Sequence, residues 1–405
     1  MPKLSTKLLT SNAPKEVELL LCCARTCMDS ESSDRIQALL QQQLDWDYLL
    51  QTAPLHGMIP LLYTHLQAIC PEAVPPDILE RLQNHYQGNA QRNLFLTGEL
   101  LKFLDLFQQH EIAAVPFKGP ILAASIYGNL ALRQFGDLDI LIHKQDVIKA
   151  KELMLAQGYQ LEMISLTKAQ EAAYIQSQAE YNFWRAEGSS RINVELHWGI
   201  VPGDFARAIA PECFFSPLEP ISLQQKTILT FTPENLLLIL CIQRSKHLWE
   251  RLDWICDIAE ILRTHPQMNW QQVIEKATQL GCRRMLFLGL YLAKELLQAE
   301  LSQVVWENVQ TDPQVEAIAL KVTQRLFQQN DNLPRAYIRS LFHLQTKERL
   351  QDKVEYCLRL GVTPTVTEWA RLPLPNSLSF MYYLTRPLRL VRTHGMRPLK
   401  YLIAR

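Results

Sequence analysis

Two aspartates, Asp137 and Asp139, stand at the head of the apolar run in RQFGDLDILI, residues 133–142. Ionised carboxylates are costly to bury without a partner. A pair placed here either binds a cation or turns the chain into a strand. Side chains alternate faces along a strand. Asp137, Asp139 and Leu141 then share one face, and Leu138, Ile140 and Ile142 can pack on a core. The two aspartate Cα atoms would lie roughly 7 Å apart, which suits carboxylates reaching two metal ions about 3.5–4 Å from one another. Hard oxygen ligands select Mg2+ or Mn2+ over softer ions. The alternative for Asp137 is a turn residue after Gly136.

A third acid is available in RINVELHW, residues 191–198. Ile192, Val194, Leu196 and Trp198 form one apolar face, and Asn193, Glu195 and His197 the polar one. Such a face meets either solvent or a site. If this strand lies beside the aspartates, Glu195 completes a carboxylate triad and helps take a nucleophile's proton. His197 reads as a structural hydrogen-bonder or a substrate contact rather than a metal ligand. Donors for phosphate come from Lys118-Gly119-Pro120, where a strand gives way to a helix. Gly119 allows close backbone approach, and a helix N-terminus favours anions. Lys118 is either a phosphate contact or a surface charge. Arg133, four residues before Asp137, adds a guanidinium that could reach a triphosphate.

The elements that must position these residues can be read from periodicity. Residues 1–110 form a helical region, with apolar residues at three- and four-residue steps. Ser33 or Asp34 is a candidate cap before RIQALL, and Asp45-Trp46-Asp47 and His56 read as packing and capping. Residues 111–202 form an α/β core. It has a strand at 112–117, a helix in ILAASIY ended by Gly128-Asn129, the DLDILI strand, a helix capped by Asp146 and stopped by Gly158, a strand in YQLEMI, and a hairpin turning at EGSS. Residues 203–345 read as a helical domain, and 346–405 as a helical, proline-punctuated tail. The fold class is therefore α+β: a small mixed sheet flanked by helices on both sides.

Composition narrows the function. The chain has 405 residues, 48% hydrophobic and 20% charged, as in an ordinary globular protein. A formal net charge of zero argues against nucleic acid as a tightly held partner. Nine scattered cysteines read as reduced thiols, not as disulfides or a zinc site. The N-terminus lacks the apolar core of a signal peptide. The longest apolar run, LLLILCI, falls far short of the ~20 residues that span a bilayer. The expectation is a soluble, cytoplasmic protein.

The order strand, glycine turn, helix, D-x-D strand, then a third acid on a later strand resembles the DNA polymerase β-like nucleotidyltransferase superfamily. More narrowly, the chain is similar to a bacterial group of uncharacterised nucleotidyltransferases. The stretches that carry the likeness are DWDYLLQTAPLHGMIPLL, FKGPILAASIYGNLALRQFGDLDILI, AQGY, VELHW, KHLWERLDWICDIAEIL and RLPLP…YYLTRPLRL, from about Leu44 to Leu390. The resemblance implies Mg2+-dependent transfer of a nucleotidyl group from an NTP, with ATP the first choice. The acceptor, whether small molecule, RNA or protein, is open. It implies Asp137 and Asp139 as the metal pair, Glu195 as the third carboxylate and Gly119 as the phosphate-loop glycine. The superfamily usually has Gly-Ser there, closer to the acids. Lys-Gly-Pro departs from that, and proline removes one backbone donor. Two other readings follow: a binding protein that kept the core but lost turnover, or a toxin-like transferase modifying RNA or protein.

Two features remain. In KHLWERLDWICDIAEIL, Asp253 and Asp257 lie four apart on one helix face. They read as a solvated or inter-domain salt-bridged face; the alternative lines the cleft with Lys246, His247, Arg251 or Asp257. Between Arg386 and Arg405 lie six Lys/Arg and no acid. This reads as a solvated helix face with Leu388, Leu390 and Leu399 inward, or as a nucleic-acid or membrane contact.

Overall fold

The computed structural model describes residues 8, 13–188, 190–203, 205–206, 209–328, 334–371, 374 and 381–394. The chain opens with five helices: α1 (Lys15–Cys23), α2 (Ser30–Leu40), α3 (Trp46–Leu55), α4 (Ile59–Ile69) and the long α5 (Pro76–Gln109). Asp29 rather than Ser33 or Asp34 caps α2, accepting from the Ser32 amide, and Asp45 caps α3. Proline at the first position of α5 costs no hydrogen bond there.

The α/β core follows: β1 (Ala114–Pro116), α6 (Pro120–Ser125), β2 (Asp137–Ile142), α7 (Val147–Ala156), β3 (Gln160–Leu161), α8 (Lys168–Ser177), β4 (Glu180–Glu187) and β5 (Ser190–His197). The strands form one mixed sheet in the order β1-β2-β5-β4-β3. β2 runs antiparallel to β1 and parallel to β5, and β4–β5 is the expected hairpin. β3 is shorter than YQLEMI suggests. α8 lies in a stretch with no buried face to signal it, held by a capping box at Thr167 and Gln170.

A second hairpin, β6 (Leu218–Leu223) and β7 (Lys226–Phe231), interrupts the stretch read as helical. Its turn is Gln224-Gln225, with φ of 47° and 66°. Two-residue turns of this kind normally advertise themselves by Asn or Gly, so the sequence gives no sign of it. Thr230 of β7 donates to the Pro116 carbonyl of β1 at 2.7 Å. Helices then continue as α9 (Pro233–Lys246), α10 (Leu252–Thr264), α11 (Trp270–Leu280), α12 (Arg283–Leu297), α13 (Gln303–Gln310), α14 (Pro313–Gln328), α15 (Arg335–Thr346), α16 (Leu350–Val362), α17 (Val366–Arg371) and α18 (Tyr382–His394). Among the described residues no helix is long and apolar enough to cross a membrane.

The alternation of β2 separates two apolar cores. Leu138, Ile140 and Ile142, with Ile192, Val194 and Leu196 of β5, pack against Leu96, Leu100, Phe103 and Phe107 of α5 and Met154 of α7. Val115, Phe117 and Leu141 join a larger core built from α1, α4, α9, α10 and α12. Residues from 1–110 and 203–345 thus share one core, and the sheet face carrying the aspartates is turned toward it. Leu388 of α18 is exposed, not inward as expected, while Arg386 and Arg389 both pair with Glu368. Leu399 lies outside the described residues.

Candidate active site

Pairing in the sheet brings Asp139 and Glu195 together, with Asp137 outside their cluster. Asp137 lies opposite Asn193, Asp139 opposite Glu195, and Leu141 opposite His197. Ligand atoms of Asp139, Glu195 and His197 lie within 4.8 Å of one another. His197 Nε2 is 3.1 Å from Asp139 Oδ1 and 3.2 Å from Glu195 Oε2. Its Nδ1 faces Glu180 Oε2 at 3.4 Å. Lys118 reaches in from the β1–α6 turn and pairs with the same Asp139 Oδ1. Asp139 Oδ2 is buried and has no hydrogen-bond partner.

Charge explains the protonation states. Burial works against the Asp139 carboxylate, but Lys118 and His197 hold it well below the usual carboxylate range. Burial would lower His197; its bonds to Asp139 and Glu195, with Glu180 nearby, raise it instead to about 9. Lys118 is likewise raised against the effect of burial by Asp139 and Glu195. Asp137, half-buried, is pushed up to about 6 by burial and by the charges of Asp139 and Glu195.

The Lys-Gly-Pro segment forms a tight turn closed by the Ile121 amide on the Lys118 carbonyl, at 2.9 Å. Gly119 has φ 47° and ψ −117°, the conformation of the first central residue of a type II′ turn. A Cβ there would meet the Asp137 carbonyl oxygen at 3.1 Å. The turn therefore fixes Lys118 against β2. With the Ile121 amide engaged and Pro120 lacking one, little of a helix N-terminus is left for a phosphate.

Arg133 is not brought to the cluster as a free donor. It is 5% exposed, and its Nε and Nη2 donate to Asp257 at 2.7 and 2.9 Å. Tyr127 donates to the same carboxylate at 2.9 Å, and Arg244 Nη2 lies 3.3 Å from it. Asp257 thus makes a salt bridge to Arg133 far away in the chain, and it is buried rather than solvated. The segment Leu130–Arg133, ahead of β2, is held from behind by α5. Asn93 donates to the Leu130 and Arg133 carbonyls, and Asn89 to Ala131.

Glu180 was missed by sequence reasoning. It pairs with His197 across the hairpin and sits 3.5 Å from Lys246, which had been considered for the cleft. Counting back from the EGSS turn would have found it. Beside the loop a cavity of about 600 Å³ is lined by His85, Arg92, Phe135, Gly136 and Arg251, among others. Asp137, Asp139, Glu195 and His197 are not among its lining residues.

A family model described as uncharacterised nucleotidyltransferase matches residues 42–298, more than half of the chain. The chain belongs to this nucleotidyltransferase family. No curated protein and no solved structure gave a match. β2 and β5 fall inside the matched range, as do α9 and α10, which carry Lys246 and Asp257. The similarity of RLPLP…YYLTRPLRL lies beyond it.

Proposed function

We propose that this nucleotidyltransferase moves an NMP group from an NTP, ATP in the first instance, to an acceptor hydroxyl, amine or phosphate, with Mg2+ or Mn2+ held by Asp137, Asp139 and Glu195. The observation that carries the reading is the register of β2 on β5, which sets Asp139 beside Glu195. The donor set fits a hard divalent cation: Asp139 and Glu195 oxygens converge beside His197, Asp137 stands two residues before Asp139 on the same strand face, and Asp139 Oδ2 is buried without a partner. When bound, the cation would act as a Lewis acid toward phosphoryl oxygens.

The side chains divide the remaining work. Glu195, with 27% of its side chain exposed, is the acid accessible to an acceptor and takes its proton. His197, protonated, holds Asp139 and Glu195 in place and supports nucleotide binding through them. Lys118 and Gly119 sit on the phosphate side, where the ammonium offsets charge on departing pyrophosphate. Arg133 acts at one remove, anchoring the loop that leads into Asp137. The acceptor approaches Glu195 from between the sheet region and the helices that flank it.

Titration calorimetry with each NTP, with and without Mg2+, tests this. Metal-dependent binding of at least one NTP is expected; its absence for all four refutes the reading. Incubating α-labelled NTPs with cell extract then identifies the acceptor class, provided that Glu195→Gln abolishes the labelling. A second reading, a nucleotide-binding protein without turnover, is favoured by the Lys118 ammonium seated on Asp139. Binding without any labelled product would select it.

A further inference from the structure

A carboxylate that bridges two metal ions has to offer oxygen to both. Asp139 is the acid at the centre of this site, with Asp137 before it on β2 and Glu195 opposite. Its Oδ1 already takes two donors, Lys118 Nζ and His197 Nε2, the latter at 3.1 Å. Only Oδ2 is without a partner.

Lys118 is not a loose surface side chain that an incoming ion would brush aside. Its side chain is 13% exposed. Its backbone is pinned by the Ile121 amide and by the left-handed Gly119 pressed against the Asp137 carbonyl. Its ammonium lies 5.2 Å from the centre of the Phe117 ring, which is itself fully buried.

We propose that the site takes one divalent cation, not two, because the tethered Lys118 ammonium holds the place that a second ion would fill. This rests on the metal-dependent reading given above. Asp139, through Oδ2, and Glu195 would hold the single ion, with Asp137 beside them on the same strand face. The ammonium supplies a fixed positive charge on the Oδ1 side, at the Gly119 turn that the resemblance assigns to phosphate. The departure from Gly-Ser to Lys-Gly-Pro then exchanges backbone donors for a built-in cation.

The full chain, mixed with equimolar α,β-methylene-ATP and titrated with Mn2+, gives the test by electron paramagnetic resonance. Wild type is expected to hold one Mn2+ per chain with an uncoupled spectrum. Lys118→Met keeps the stem and removes the charge; it is expected to hold two ions with a spin-coupled spectrum. Lys118→Arg is expected to stay at one. A coupled pair in wild type overturns the inference without help from any variant. So does a folded Lys118→Met protein, by circular dichroism, that stays at one ion. Retention of no Mn2+ by any of the proteins overturns the metal-dependent reading itself, and this inference with it.

Discussion

Asp139 and Glu195 face each other across one strand pair but differ in what surrounds them, and their substitutions should separate accordingly. Asp139 is buried between Lys118 and His197. Asp139→Asn leaves a buried ammonium without its counter-charge, which typically costs about 3–5 kcal/mol. Urea unfolding should show that loss. Glu195 is partly open and is one of three acids around His197, so Glu195→Gln should cost less stability than Asp139→Asn. Its Mn2+-dependent NTP binding should nonetheless fall at least about tenfold, the low end of what the loss of a metal-site group costs. Equal unfolding curves for the two variants would contradict the difference in burial.

At the scale of elements, the turn between β1 and α6 and the helix behind it set where the acids sit. Gly119→Ala forces a side chain into left-handed backbone against the Asp137 carbonyl, a strain of about 1–3 kcal/mol. Thermal unfolding should report it, and Mn2+ affinity should fall with it because Lys118 and β2 shift together. Asn93→Ala removes the donor to two loop carbonyls in a buried place, about 1–3 kcal/mol for each carbonyl left without a bond. Much of this arrangement was legible beforehand. Period-two alternation placed Asp137 and Asp139 on one face and Glu195 and His197 on another strand's polar face, and both faces lie where the alternation put them. What alternation cannot tell is which strands meet, since β2 and β5 are joined through two other strands and two helices. The Gln224-Gln225 hairpin stayed hidden because its left-handed turn uses residues that carry no turn signal. Arg133 misled for a similar reason. Nothing local to it announces a carboxylate 124 residues away.

Across the whole molecule, buried histidines other than His197, among them His56, His65 and His343, tie distant segments together in their neutral form. His56 accepts the Leu252 amide on Nδ1 and packs on Phe327. Burial pushes its pKa down to about 4, from 6.5. The folded chain therefore resists a proton that the unfolded chain takes up. The contribution is whole above pH 6.5 and is lost as pH falls through 4, to a limit of about 3 kcal/mol. His56→Asn, which keeps an acceptor for the Leu252 amide but does not titrate, should show a shallower loss of stability between pH 7 and 4. An unchanged slope would exclude His56 as the group responsible. Asp257 has a wider reach, since it neutralises Arg133 ahead of β2 and Arg244 near the end of α9. A fragment cut to residues 111–202 would carry the Arg133 guanidinium with no anion and the Leu141 face with no cover. It should be insoluble, or soluble only as a loosely packed chain. The acids can then be inherited or transplanted only together with the helices that close over them, so a chain in which those helices had diverged would have to lose the Asp139–Glu195 pairing or rebuild the anion beneath it.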